Sequence, residues 1–110
     1  MGETRLRQVV AYVTRDGAAP FADWLRHLGD RRARNGIRVR IARLRLGNLG
    51  DYKSVGGGVL ELRVDIGPGY RVYIGQDGPR FILLLSGGTK RTQTEDIRKA
   101  QEYWADYLGG

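Results

Sequence analysis

The spacing of apolar residues changes period once along this chain, near Asp51, and that change limits what it can fold into. Before it, apolar side chains recur at helical intervals. Phe21, Trp24, Leu25 and Leu28 fall at i, i+3, i+4 and i+7, one stripe of a helix that Pro20 opens and Gly29 ends. Asp30 can cap a second helix running to about Leu46, with Ala33, Ile37, Ile41 and Leu44 on its buried face. Arginines, among them Arg38, Arg40 and Arg45, take much of the remaining surface. Gly36 is a weak point inside this helix, since glycine costs about 1 kcal/mol there.

After Asp51 the period is two. A short strand is expected over Asp51 to Val55, then a cleanly alternating one over Val59 to Ile66. Leu60, Leu62, Val64 and Ile66 point one way; Glu61, Arg63 and Asp65 point the other. Gly67-Pro68-Gly69 turns the chain into a strand over Tyr70 to Gln76, and Asp77-Gly78 turns it again into Arg80 to Ser86. That last strand has no polar face, which suits a central position covered on both sides. Thr92 and Glu95 read as a capping box for a final helix with Ile97, Ala100, Trp104 and Leu108 on its apolar stripe. One more strand, Gln8 to Thr14, precedes the helices. The expected fold is α+β: an antiparallel sheet of about four strands, two N-terminal helices and a C-terminal helix. The whole chain, residues 1–110, reads as one domain.

Charge narrows the partner. Lysine and arginine total 19 against 12 acidic residues, a formal net charge of +7, and nearly all of it is arginine. Such an excess draws in polyanions, and guanidinium groups suit planar contacts with phosphates and bases. The absence of cysteine excludes a disulfide framework and a thiol nucleophile. His27 is the sole histidine, so a two-histidine acid–base pair is excluded, and neither Ser54 nor Ser86 has a plausible triad partner. Asp51, Glu61, Asp65 and Asp77 are scattered, so neither a metal nor another cofactor is expected. The polar opening residues suggest no secretory signal, and a cytoplasmic protein without a membrane span is expected.

Two places can carry chemistry. With a three-residue loop at Gly67-Pro68-Gly69, Asp65 would face Arg71 and Arg63 would face Tyr73. Arg63, Arg71 and Tyr73 would then share one face, with Ile82 and Leu84 joining it, as a platform for phosphate and base. The same spacing also fits a plain Asp65–Arg71 ion pair. The second place is Gly87-Gly88-Thr89-Lys90-Arg91-Thr92, which enters a helix. Cations there oppose the helix dipole, so Lys90 and Arg91 are easier to explain by an anion than by helix stability.

The segments Arg43 to Val55, Gly58 to Arg63, Gly67-Pro68-Gly69-Tyr70-Arg71-Val72-Tyr73 and Leu84 to Gln93 with Asp96-Ile97 carry a resemblance. Together with Pro20-Phe21 and Trp24-Leu25, they resemble the HigB-like, phage-derived "addiction module killer" branch of the RelE/ParE toxin superfamily. The resemblance implies a RelE-like fold and the toxin of a type II toxin–antitoxin module. Its activity would be that of a metal-independent endoribonuclease (an mRNA interferase), commonly acting at the ribosome. A co-encoded antitoxin, usually with a helix-turn-helix DNA-binding region, would be its partner. ParE-type relatives instead poison DNA gyrase, which stands as the alternative. The resemblance assigns Arg71 to a phosphate-binding and catalytic position, sets Arg63 near the family's basic residues and matches Lys90 and Arg91 to its basic loop; Tyr73 joins Arg71, Arg63 and Lys90 as a catalytic candidate from its shared strand face. Lys53, Arg91, Arg38 and Arg45 would contact RNA. RelE-type enzymes often carry a tyrosine or histidine after the basic loop; here Gln93, Thr94 and Glu95 stand there. Tyr73, or secondarily Lys53, is the candidate general base.

Overall fold

The computed structural model describes residues 6–109; residues 1–5, on which the expectation of no secretory signal rests, lie outside them. Along the described residues run β1 (Gln8–Ala11), α1 (Pro20–His27), α2 (Arg31–Arg45), β2 (Tyr52–Ser54), β3 (Val59–Val64), β4 (Tyr70–Asp77) and β5 (Phe81–Thr89). A short 3-10 turn (Lys90–Thr92) then leads into α3 (Gln93–Gly109). The strands form one sheet in the order β1-β5-β4-β3-β2. The α+β class is as expected, but the sheet is five-stranded and mixed, because β1 runs parallel to β5. The other pairs are antiparallel. Hairpins force antiparallel neighbours, whereas β1 reaches its partner only after two helices and most of the sheet, so no turn dictates its direction. No helix among the described residues is long and apolar enough to cross a membrane.

α1 opens at Pro20, and the Asp30 side chain caps α2 by accepting from the Ala33 N–H at 3.2 Å. Both helices cover one face of the sheet, where Ile37, Ile41 and Leu44 pack on Leu62, Val64, Val72, Ile74, Ile82 and Leu84. α3 covers part of the other face, laying Ala100 and Trp104 against Val59, Leu83 and Leu85. β5 is therefore buried from both sides, as its uninterrupted apolar run requires. Two strand glycines make this close packing possible. A Cβ on Gly75 would overlap the Trp104 ring, and one on Gly87 would overlap Trp24. Gly36 has the same explanation within α2, since a side chain there would overlap Ile66.

Several expectations change in detail. Arg40 does not join the solvated face of α2: it is only 7% exposed. Its guanidinium donates to the carbonyls of Leu49 and Asp51, each at 2.6 Å, and more weakly to that of Arg63. It staples the loop before β2 to the sheet, and burial lowers its pKa from the ordinary value. The capping box forms one turn early. Thr89 and Thr92 cap the 3-10 turn, Thr92 donates to Asp96, and Glu95 pairs with Arg98. Leu108 is exposed, and Tyr107 stacks on Trp104 instead.

The hairpin register also differs. Val64 pairs with Tyr70, Arg63 with Arg71, Leu62 with Val72 and Glu61 with Tyr73. The connection takes residues 65–69 rather than a three-residue loop, because Ile66 turns back to donate to the Val64 carbonyl and Gly69 to that of Ile66. Each partner moves by two residues, which preserves every side chain's face. Asp65 lies outside the ladder, so the Asp65–Arg71 pair is not formed. Ile82 and Leu84 lie on the α1/α2 face, away from Arg63 and Arg71. The turn sets this: Asp77 pairs with Phe81, which puts Ile82 opposite Gln76 and Leu84 opposite Ile74. A bulge follows, since Tyr73 pairs with Ser86 and Leu85 has no opposite number. The extra residue reverses the alternation of β5 and brings Ser86 onto the Tyr73 side.

Candidate anion-binding site

Two cross-strand rows build the site on the face that α3 leaves partly open. Lys53, Glu61, Tyr73 and Ser86 are successive partners across β2, β3, β4 and β5. Arg63, Arg71 and Gly88 form the next row. Direct partners present their side chains on the same face, so the register alone brings Lys53, Arg63 and Arg71 to one side. At the β5 end, the Lys90 N–H donates to the Gly69 carbonyl at 3.2 Å, seating the basic turn against the loop that precedes Arg71. The cationic residues thus follow the strand order: Lys90 just past β5, Arg71 on β4, Arg63 on β3 and Lys53 on β2.

Glu61 lies at the centre with no exposure at all. One carboxylate oxygen, Oε2, accepts from the Tyr73 hydroxyl at 3.0 Å and from Gln93 Nε2 at 2.7 Å. The other, Oε1, lies 3.8 Å from Arg71 Nε and 4.0 Å from Arg63 Nε. Those separations are ionic contacts and exceed hydrogen-bonding range. Oε1 and both Nε atoms are buried without a hydrogen-bond partner, as is the Ser86 hydroxyl. Arg71 is 8% exposed, and its Nη1 donates to the Tyr70 carbonyl at 3.2 Å. The Arg63 side chain is 39% exposed and carries the pair out to the surface.

Tyr73 occupies this face but is sealed in it, with 0% exposure. Burial, and then the Glu61 charge and hydrogen bond, push its phenol pKa far above the usual 10.0. A phenol that holds its proton this firmly and already donates it to Glu61 is badly placed to take a proton from substrate. The geometry thus makes Tyr73 a support for Glu61 and leaves Lys53 and Lys90 as the exposed nitrogen groups flanking the arginines. Arg91 is exposed on the turn beside Lys90.

Arg38 and Arg45 do not join the site. They belong to α2 on the opposite face of the sheet and border a groove between α1 and α2 with Arg26 and Arg34. Glu61 and Gln93 were not singled out by sequence reasoning. Glu61 shares the strand face of Arg63 by simple alternation, so its position was readable, but its burial was not. For Gln93 no sequence signal exists: only the start of α3 against β3 brings it to the carboxylate. Among the described residues, no three histidine, cysteine, aspartate or glutamate side chains gather as a possible metal-ligand set.

No protein-family model matches the chain. An uncharacterized protein of Haemophilus influenzae is 48% identical over 81 residues, which span 74% of this chain and 82% of that protein. At that identity and coverage, the chain belongs to the same family as this Haemophilus influenzae protein.

Proposed function

We propose that this chain has a RelE-like fold and is the toxin of a type II toxin–antitoxin module, acting as a metal-independent endoribonuclease on mRNA. The observation that carries the reading is the direct pairing of Arg63 with Arg71 on one sheet face, flanked by Lys53 and by Lys90. The resemblance in the Gly67-to-Tyr73 and Leu84-to-Gln93 segments supports it further.

In this reading a scissile phosphate sits on the outer N–H groups of the two guanidiniums, which stabilise the charge that builds up in the transition state. The ribose 2′-oxygen attacks the neighbouring phosphorus. A 2′,3′-cyclic phosphate forms as the bond from phosphorus to the 5′-oxygen breaks. In-line attack asks for proton transfer on opposite sides of the phosphate. In strand order, Lys53 on β2 and Lys90 just past β5 stand on either side of the arginine pair. The two lysines are the candidates for moving the 2′-hydroxyl proton and supplying one to the departing 5′-oxygen. The site's charge suits RNA approach and, in the cell, the ribosome. A co-encoded antitoxin of acidic character would oppose it.

One observation favours a second reading, inhibition of DNA gyrase without catalysis: the site offers no accessible tyrosine or histidine, since Tyr73 is buried against Glu61. A brief pulse of expression separates the two. Mapping the 5′ ends of transcripts, with and without translating ribosomes, should reveal new cleavage ends. Intact transcripts with DNA breakage would reject the nuclease in favour of gyrase, and normal growth would reject both.

A further inference from the structure

We infer that Glu61 is the positioning residue of this site: its buried carboxylate draws the guanidiniums of Arg63 and Arg71 together so that their outer N–H groups converge on one anion. The inference rests on the reading of the arginine pair as a phosphate site.

Like charges placed directly opposite in a sheet repel, and Arg63 and Arg71 are direct partners. Something must hold them together before any anion arrives. Glu61 Oε1 lies almost equally far from the two Nε atoms, at 3.8 Å and 4.0 Å. The carboxylate is itself fixed from behind. The Tyr73 hydroxyl and Gln93 Nε2 both donate to Oε2, which leaves Oε1 facing the arginines. A side chain with no exposure and two anchors on one oxygen cannot swing away.

The length of the ionic contacts matters as much as their existence. A bidentate Arg–carboxylate pair would occupy the N–H edges that a phosphate needs. Here no hydrogen bond from either arginine to Glu61 is made. The carboxylate therefore steers both guanidiniums through its field without taking up their N–H groups in hydrogen bonds. Net charge in the trio stays positive, two cations against one anion, so an incoming phosphate still meets attraction. Gln93 extends the arrangement: it opens α3 directly after the Lys90–Thr92 turn, so the same carboxylate ties the arginine pair to the basic turn.

The charge-neutralising variant E61Q separates this role from plain electrostatics. Removing a negative charge should by itself tighten phosphate binding. Loss of positioning should weaken it, because the anion must then gather two repelling side chains. The readout is the pair of arginine Nε–H resonances followed by NMR while inorganic phosphate is titrated into the full chain. In the wild-type chain both resonances should move together with one dissociation constant. In E61Q they should lose their distinct positions, and phosphate affinity should fall by about tenfold, while the backbone amide spectrum keeps its folded dispersion.

Unchanged or tighter phosphate binding in folded E61Q overturns the inference, and so does a wild-type chain whose two resonances ignore phosphate. Should E61Q fail to fold, Gln93→Ala and Tyr73→Phe each remove one anchor at constant charge. Both should shift the Nε–H resonances and weaken phosphate binding to a smaller degree; no change in either variant overturns the inference as well. RNA cleavage measured on the same wild-type sample keeps the two ideas apart. A chain that binds phosphate through both arginines yet cuts no RNA loses the nuclease reading and keeps the role of Glu61.

Discussion

Two arginines in this molecule are almost equally buried, Arg40 at 7% and Arg71 at 8% exposure, and they are used in opposite ways. Arg40, on the α2 side, has each of its three nitrogens donating to a carbonyl group, closing the loop before β2 onto the sheet. Arg71, on the other face, is drawn towards a carboxylate it does not hydrogen-bond, and its Nε is unpartnered. Burial alone does not distinguish a structural cation from a binding one. What distinguishes them is how completely the surroundings satisfy the donors, since a buried donor without a partner carries a penalty that a ligand can relieve.

The comparison can be broken most directly at Arg71. Arg71→Ala should lower RNA cleavage by about a thousandfold, the scale seen when a transition-state donor is lost, while circular dichroism still shows a folded chain. Full cleavage by that variant would remove the contrast altogether. Arg40→Leu should do the reverse. It strips the Leu49 and Asp51 carbonyls of charged donors, and urea unfolding should show a loss of about 3 kcal/mol. A stability loss in Arg71→Ala as large as that in Arg40→Leu would make both arginines structural.

Gly50 sharpens the Arg40 side. Its φ is +62°, and a Cβ there would overlap the pinned guanidinium of Arg40. Gly50→Ala should therefore cost about 2 kcal/mol in the same unfolding experiment, combining backbone strain with displacement of Arg40. An Arg40→Leu background should remove the displacement part, so the two changes should cost less together than their sum.

The smallest effect concerns alkaline pH. The Tyr73 pKa is raised in the folded chain by burial and then by Glu61. Its contribution to stability is therefore fully present below the unfolded value of 10.0 and declines as pH rises above it, because the unfolded chain gives up a proton that the folded chain holds. Tyr12, raised to about 12 by burial and by its hydrogen bond to Asp106, adds a parallel loss away from the site. Melting temperatures measured above pH 10 should fall less steeply in Tyr73→Phe and in Tyr12→Phe than in wild type. Identical slopes would mean that neither hydroxyl is held as described.

Much of the fold was legible in the sequence, and the limits fall where local rules end. Helical spacing located Ala33, Ile37, Ile41 and Leu44 on the buried face of α2, because residues on one helix cannot choose their faces independently. Alternation put Arg63 and Arg71 on one face, and the revised hairpin register preserved that result. The same rule failed one strand later: the pairing of Asp77 with Phe81 puts Ile82 and Leu84 on the opposite side, and a bulge after Leu84 brings Ser86 back to the Tyr73 side. An inserted residue changes parity, and nothing in the run Phe81 to Ser86 marks where it falls.

The sequence by itself determined the helix stripes, the alternating strands, the turns and a basic chain suited to an anion, because each follows from chemistry within a few residues. Only the tertiary structure decided that β1 pairs parallel to β5, that Arg40 is a staple, and that Tyr73 and Gln93 grip Glu61 beneath two arginines. Those facts depend on which distant segments meet and how much water is excluded where they do. Such information belongs to the packed sheet and its covering helices and to no single stretch of chain.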